Sequence, residues 1–360
     1  MDNSVDNYIE LNHIVKYFGD YMASDDINIK IKKGSLVALL GPSGSGKTTI
    51  LRMIAGLEMA DSGEIYIGGK LVNDVVPSKR GIGFVFQNYA LFRYKTVYDN
   101  IAFGLKVNKW SKKAIKERVD ELIELVGLKG FEKRYPNQLS GGQKQRVAFA
   151  RALAPNPEVL LLDEPFAAID AKVRQELRSW LREMIDRVGI TSIFVTHDQD
   201  EAIEVADNII ITNKGHIEQI GTPQEIYKNP RTSFVAEFMG QPSKVVKINT
   251  FRGYEHLQDG TKAIIRPENL AITKHEEEVK YCSSVEEGII ERILFRGKEI
   301  EISVNLHGDS IRGIRRIEDA PITKGEKVNV CIFRAYTYEQ DGIIRPVWNA
   351  NIAADESVVI

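Results

Sequence analysis

The sequence predicts an α/β domain built on a mostly parallel sheet and followed by a smaller all-β domain, and three observations carry that prediction. The apolar run Ser35 to Leu40 enters the loop Gly41-Pro42-Ser43-Gly44-Ser45-Gly46-Lys47-Thr48 and leaves it through a helical stretch, Thr48 to Ala55. A second run, Val159-Leu160-Leu161-Leu162, is apolar throughout and ends on two carboxylates, Asp163 and Glu164, as a central parallel strand does when it carries acids at its tip. Beyond residue 240 the pattern turns to short alternating runs such as Lys262 to Ile265, Gly288 to Leu294 and Lys327 to Ile332, separated by glycine-bearing turns. These divide the chain into residues 1–240, with a helical subdomain at about 88–157, and residues 241–360, a small β-barrel of the oligonucleotide-binding type.

A chain of 360 residues, 43% hydrophobic and 27% charged, has ample length for such cores. A net charge of −2 argues against bulk binding to nucleic acid or anionic membranes. Cys282 and Cys331 are far apart with no C-x-x-C spacing, and read as reduced thiols. The first seven residues lack the basic and apolar regions of a signal peptide, and no apolar run approaches the ~20 residues that span a bilayer. The expectation is an intracellular chain whose membrane role, if any, comes through a partner.

Taken in order, Tyr8 to Phe18 and Ile27 to Ile31 alternate as two short antiparallel strands. Phe18 or Tyr17, at the end of the first, is placed to stack on a nucleotide base, with core packing as the other reading. Glu64 to Ile67 and Gly81 to Phe86 are further strands, and the second ends at Gln87, where open α/β sheets hold ligands. Ile115, Val119, Leu122 and Val126 then recur at helical spacing. Seven aromatics between Phe84 and Phe103 are expected mostly in the core, and a partner groove is their alternative role. Leu139-Ser140-Gly141-Gly142-Gln143 opens another helix: Ser140 and Gln143 form a capping box, while the two glycines leave amides uncovered as a second anion-binding surface. Thr191 to Thr196 is a strand ending at His197, and Asn208 to Thr212 with His216 to Ile220 form a hairpin. Gln241-Pro242-Ser243 reads as a linker.

The loop at 41–48 fits the phosphate-loop pattern G-x-x-x-x-G-K-[ST] at every fixed position. Its glycines let amides approach phosphates at a helix N-terminus, Lys47 reaches the β- and γ-phosphates, and the Thr48 hydroxyl ligates Mg²⁺. Asp163 stands where such ATPases hold Mg²⁺, and Glu164 is a candidate general base for the attacking water. Pro165 biases Glu164 toward an extended backbone. His197, the third polar residue at a strand end with Gln87 and Glu164, is read as a γ-phosphate contact.

The phosphate loop, Gln87, Leu139 to Gln143, Asp163-Glu164 and His197 occur in the order and spacing of an ABC-transporter ATPase, which residues 8–240 resemble. The resemblance implies ATP and Mg²⁺ as cofactors. It places Ser43, Gly44, Ser45, Gly46, Lys47, Thr48 and Thr49 on the nucleotide and Phe18 on adenine. It adds Gln87 as a sensor of Mg²⁺ and water, and Asp170 as the acid of the loop after Glu164. It also implies a homodimer in which Ser140, Gly141, Gly142 and Gln143 of one copy complete the ATP site of the other. The single cassette, the linker, the β-rich tail and Arg266-Pro267-Glu268 resemble the importer branch, and Gly83 to Arg93 with Phe234 to Gly240 are most similar to its sulfate/thiosulfate members. Two integral membrane permease subunits, an extracytoplasmic solute-binding protein and a peripheral place on the cytoplasmic face of the membrane follow from that resemblance. Molybdate, iron(III), polyamine or sugar transport are the alternatives. A soluble nucleic-acid-binding ATPase is disfavoured by the lack of a second cassette and of a basic–aromatic stripe. A non-hydrolysing nucleotide binder fits poorly with Lys47, Asp163, Glu164 and His197 all present.

Overall fold

The computed structural model describes residues 7–167, 170–277, 282–339 and 342–353, and the chain divides into two compact units between Glu225 and Ile226. The first unit opens with two long strands, β1 (Asn7–Phe18) and β2 (Tyr21–Lys32). The sequence showed only the Ile27 to Ile31 part of β2, because Tyr21 to Asp26 lacks alternation; pairing of Phe18 with Tyr21 across a tight turn supplies the rest. Next come β3 (Leu36–Leu40), α1 (Lys47–Ala55), β4 (Ser62–Ile67), β5 (Lys70–Leu71) and β6 (Ile82–Val85). Three helices follow, α2 (Val97–Val107), α3 (Lys112–Leu125) and α4 (Gly141–Leu153). The unit continues through β7 (Val159–Asp163), α5 (Ala171–Val188), β8 (Thr191–Thr196), α6 (Gln199–Val205), β9 (Asn208–Asn213) and β10 (His216–Gly221).

Two sheets form. The first, in the order β2-β1-β4-β5, is antiparallel, and the second runs β10-β9-β3-β8-β7-β6. From β9 to β6 all neighbours in the second sheet are parallel. Every residue of β3, β7 and β8 is buried, which is why β3 and residues 159–162 of β7 read as unbroken apolar runs and not as alternations. Ile50, Leu51 and Ile54 of α1 join one core with Ile9, Leu11 and Ile29 of the first sheet and Val37 and Leu39 of the second. Burial of that helix face fixes its N-terminus, and with it the loop 41–48.

The other end of α1 is held by a residue the sequence did not single out. Arg80 is buried, and its guanidinium donates to the carbonyls of Met53 and Ile54, the last turn of α1, at 2.9 Å each. It also donates to Val75 O at 2.7 Å and Asn73 O at 3.0 Å. Its charge thus meets the negative end of the helix dipole while satisfying helix-end carbonyls. Arg80→Ala leaves these acceptors unpaired and is expected to destabilise the unit by about 3 kcal/mol in urea denaturation. A loss near zero would show that water replaces the guanidinium.

In the second unit α7 (Pro223–Lys228), within which the chain divides, is followed by α8 (Ser233–Phe238) and then by strands alone. The strands are β11 (Ser243–Val245), β12 (Lys262–Ile265), β13 (Leu270–Lys274), β14 (Val285–Phe295), β15 (Glu299–Leu306), β16 (Asp309–Arg316), β17 (Lys327–Ile332), β18 (Arg334–Tyr338) and β19 (Ile344–Trp348). Ser243, read as linker, is buried and pairs with Ile265. One sheet runs β11-β12-β18-β19 and the other β13-β17-β14-β15-β16. The second curls as a barrel does: a Cβ on Gly313 of β16 would meet Leu270 Cδ1 of β13 at 2.5 Å, so the two edge strands close on one another. Cys331 is a buried free thiol whose pKa burial pushes up to about 12; the side chain of Cys282 lies outside the described residues.

Candidate active site

The order β3-β8-β7-β6 places four parallel strand ends side by side, and each delivers one part of the site. From β3 comes the loop 41–48. Gly46 caps α1 with φ 96°, and a Cβ there would lie 2.3 Å from the carbonyl oxygen of Ala23. Gly41 is equally confined, since its Cβ would lie 2.3 Å from Thr212 O. The loop is therefore wedged between β2 and β9, and the glycines are required by backbone contact as much as by any ligand. Ser45 is buried with its hydroxyl 2.8 Å from that of Thr212, so its side chain braces the loop. Ser43 and Gly44 are exposed at the tip, and Thr49 is half-buried in the first turn of α1.

Lys47 is buried, with Nζ donating to Gly41 O at 2.8 Å and Pro42 O at 2.7 Å. Burial lowers its pKa, while the carboxylates of Glu164 and Asp163 act in the opposite sense. At the end of β7, Asp163 accepts from the Thr48 hydroxyl at 3.0 Å and lies 3.9 Å from the Arg52 guanidinium. Its pKa is raised, chiefly by burial. The next residue, Glu164, accepts from Gln87 Nε2 at 2.7 Å and lies 3.5 Å from His197 Nδ1. Gln87 stands just past β6, and His197 follows β8 directly. Lys47, Thr48, Asp163, Glu164, Gln87 and His197 thus form one connected group.

The backbone of Glu164 corrects one expectation. It has φ 46°, in the left-handed region, and is not extended. Pro165 disfavours the right-handed helical basin for its predecessor, but the chain must also reverse immediately after β7. A turn follows at once, closed by Ala167 N donating to Glu164 O at 3.2 Å, with Glu164 as its first residue. A non-glycine residue held at a positive φ is strained, and the strain sits on the residue whose carboxylate joins Gln87 and His197. Ala168 and Ile169 of the following loop lie outside the described residues.

Comparison with known proteins agrees with this geometry. A family model described as "ABC transporter" matches residues 24–167, and one described as "TOBE domain" matches residues 263–335. The sulfate/thiosulfate import ATP-binding protein CysA of Synechocystis is 49% identical over 305 residues, 83% of this chain and 84% of the relative. The protein of the same name from Bacillus cereus is 53% identical over 272 residues, 74% of each chain. The chain belongs to the ABC transporter ATP-binding family. Two solved structures resemble part of this ABC ATPase. A dimeric post-hydrolysis state of the ATP-binding cassette MJ0796 bound to ADP and Pi is 35% identical with a TM-score of 0.54, covering 60% of this chain and 98% of its own. The cbiO1 protein of Clostridium perfringens, part of the transporter complex cbiONQ, is 32% identical with a TM-score of 0.58, covering 62% and 92%. Among the described residues, no helix of the ABC ATPase is long and apolar enough to cross a membrane.

The segment Leu139 to Gln143 makes its own side-chain bonds. Ser140 and Gln143 form the full capping box of α4, with Ser140 N donating to Gln143 Oε1 at 3.0 Å and Gln143 N to Ser140 Oγ at 3.3 Å. Gly141 is exposed with open space where a Cβ would go, whereas Gly142 is buried against α5, its Cβ position 3.2 Å from Val173 Cγ1. The paired glycines therefore have two reasons: Gly141 leaves the helix terminus open, and Gly142 admits α5. Asp170 caps α5 by accepting from Val173 N at 3.0 Å.

The aromatic expectation is also corrected. None of the seven aromatics from Phe84 to Phe103 is fully buried, although Phe84 packs against the core, and Tyr94 is 95% exposed. Ile101, Ala102 and Leu105 take the inner face of α2, which turns Phe103 outward onto Phe92 at 4.4 Å between ring centroids. Phe84, Phe86, Phe92 and Phe103 line a groove of about 430 Å³ with Arg151, whose guanidinium donates to Ala90 O at 2.7 Å and Tyr89 O at 2.8 Å. Tyr21 is a site residue that sequence reading missed; its hydroxyl donates to Gly44 O at 2.6 Å. No local pattern marks it, because the partner lies on another element.

Proposed function

We propose that this chain hydrolyses ATP as the energising subunit of an importer for sulfate or thiosulfate, acting as a homodimer beneath two membrane permease subunits at the cytoplasmic face of the membrane. The observation that carries the ATPase part is the convergence of Lys47, Thr48, Asp163, Glu164, Gln87 and His197 at four adjacent strand ends. The donor set suits Mg²⁺, since the Thr48 hydroxyl and the Asp163 carboxylate offer oxygen atoms 3.0 Å apart, and hard divalent cations take oxygen ligands. Bound there with ATP, Mg²⁺ would neutralise charge on the phosphates.

Lys47 supplies a cation at the mouth of the loop, and the amides of 43–49 receive phosphate oxygens at the start of α1. Phe18, 47% exposed at the end of β1, offers its ring to adenine. Glu164 accepts the proton of the attacking water, Gln87 orients that carboxylate through its 2.7 Å bond, and His197 contacts the γ-phosphate. The exposed end of α4 at Ser140 and Gly141, with Gln143, completes the site of a second copy, a reading supported by the dimeric relative bound to ADP and Pi. The groove of Phe84, Phe86, Phe92 and Phe103 begins next to Gln87, so a permease segment seated in it would be coupled to the catalytic carboxylate. A solute-binding protein outside the cell would deliver the cargo to the complex.

The cargo rests on the two relatives at about 50% identity over most of the chain, both named for sulfate/thiosulfate import. Radiolabelled sulfate uptake should fall by at least tenfold when this gene is removed from its own cell, and should return with the wild-type chain. Unchanged uptake removes sulfate as cargo and leaves the ATPase reading standing.

A further inference from the structure

We infer that Tyr21 is a positioning residue that ties the proposed base platform at Phe18 to the phosphate loop, so that stacking of the base helps to set the loop amides. The inference rests on the ATP-site reading above and extends it to a residue that none of the sequence motifs contains.

Three observations carry it. First, Phe18 and Tyr21 are direct partners across the two-residue turn Gly19-Asp20, with Gly19 at φ 60°, so the two rings move as one hairpin end. Second, the Tyr21 hydroxyl donates to Gly44 O at 2.6 Å, while Ser45 N, at the other end of the same peptide unit, donates to Pro42 O at 3.2 Å. A peptide unit bonded at both its oxygen and its nitrogen has its plane fixed. Gly44, at one end of this unit, and Gly46, one residue beyond its other end, have φ 78° and 96°, where the backbone is otherwise permissive. The amides of Gly44 and Gly46 belong to the two adjoining peptide units, and holding the unit between them narrows the directions in which those amides, groups that meet a phosphate in such a loop, can point. Third, β2 touches the loop a second time, where Ala23 O sits against Gly46. The hairpin therefore braces the loop from one side at two points, and the Tyr21 contact is the one made by a side chain and removable without disturbing the fold. Tyr21 is 53% exposed, so its ring contributes little to the core.

The tether predicts a coupling that a merely structural tyrosine would not produce. Displacement of a fluorescent nucleotide from the full chain gives dissociation constants for ATP and for inorganic tripolyphosphate, which lacks the base. Their ratio is the advantage conferred by the base. Tyr21→Phe, which removes only the hydroxyl, should lower that ratio by about three- to fivefold, with the melting temperature unchanged. Phe18→Ala should lower it further, and adding Tyr21→Phe to Phe18→Ala should then have little additional effect. A ratio unchanged in Tyr21→Phe, or fully additive losses, overturns the tether. A silent Phe18→Ala beside an effective Tyr21→Phe instead removes Phe18 from the base site and leaves the tether in place, with another group as its platform.

Discussion

Glu164→Gln is expected to bind ATP normally, accumulate as a closed dimer and lose at least a hundredfold in steady-state turnover. The substitution keeps the size of the side chain, and its amide can still pair with Gln87, which now donates to the carboxylate at 2.7 Å. It removes the one property that proton transfer needs, a basic oxygen, and positioned general bases contribute about 10²–10⁴ in rate. Glutamine has the same branching at Cβ and Cγ as glutamate and meets the backbone at φ 46° on the same terms, so the variant should keep its fold. Phosphate release under saturating ATP, with size-exclusion chromatography of the ATP-loaded protein, measures both halves of the expectation. Near-normal turnover would take Glu164 out of the catalytic role.

Gly46→Ala is expected to abolish measurable ATP binding and to lower stability by about 2–3 kcal/mol. Two effects add. A residue with a Cβ is forced into φ 96°, at about 1–3 kcal/mol, and that Cβ meets the carbonyl oxygen of Ala23 at 2.3 Å, a backbone atom of a paired strand that cannot step aside. Either β2 or the loop must shift, and the loop has less to hold it. Gly130→Ala separates the two contributions, because Gly130 has φ 87° but open space around its Cβ position. Comparable thermal destabilisation in both variants, with ATP binding retained in Gly46→Ala, would show that the clash at Ala23 is relieved cheaply.

How far the sequence reached can be seen residue by residue. Asp163 and Glu164 were legible because β7 is apolar on both faces and acid appears only at its tip; the same holds for Leu40 before the loop and for Thr196 before His197. In a buried parallel strand, burial ends where the strand ends, so polarity marks the ligand edge directly in the chain. The aromatic segment gave no such mark. Phe103 and Leu105 are both apolar, and only the packing of α2 decides that one faces the core and the other the groove. Gly142 likewise reads only as part of an anion site, and its second reason, the close approach of α5, shows once Val173 is placed beside it.

What the sequence by itself determined is the order of the polar groups along a parallel sheet: a loop of the phosphate-binding pattern, two carboxylates, an amide and an imidazole, all encoded within a few residues of a strand end. What only the tertiary structure decided is how those groups are held. Ser45 and Thr212 are 167 positions apart and share a hydrogen bond, Arg80 reaches back 27 positions to close α1, and Tyr21 grips Gly44 from another strand. Such contacts leave no periodicity in the chain. They arise from which strands become neighbours, and that is set by the burial of whole faces at once, a property of the assembled sheets and not of any local stretch.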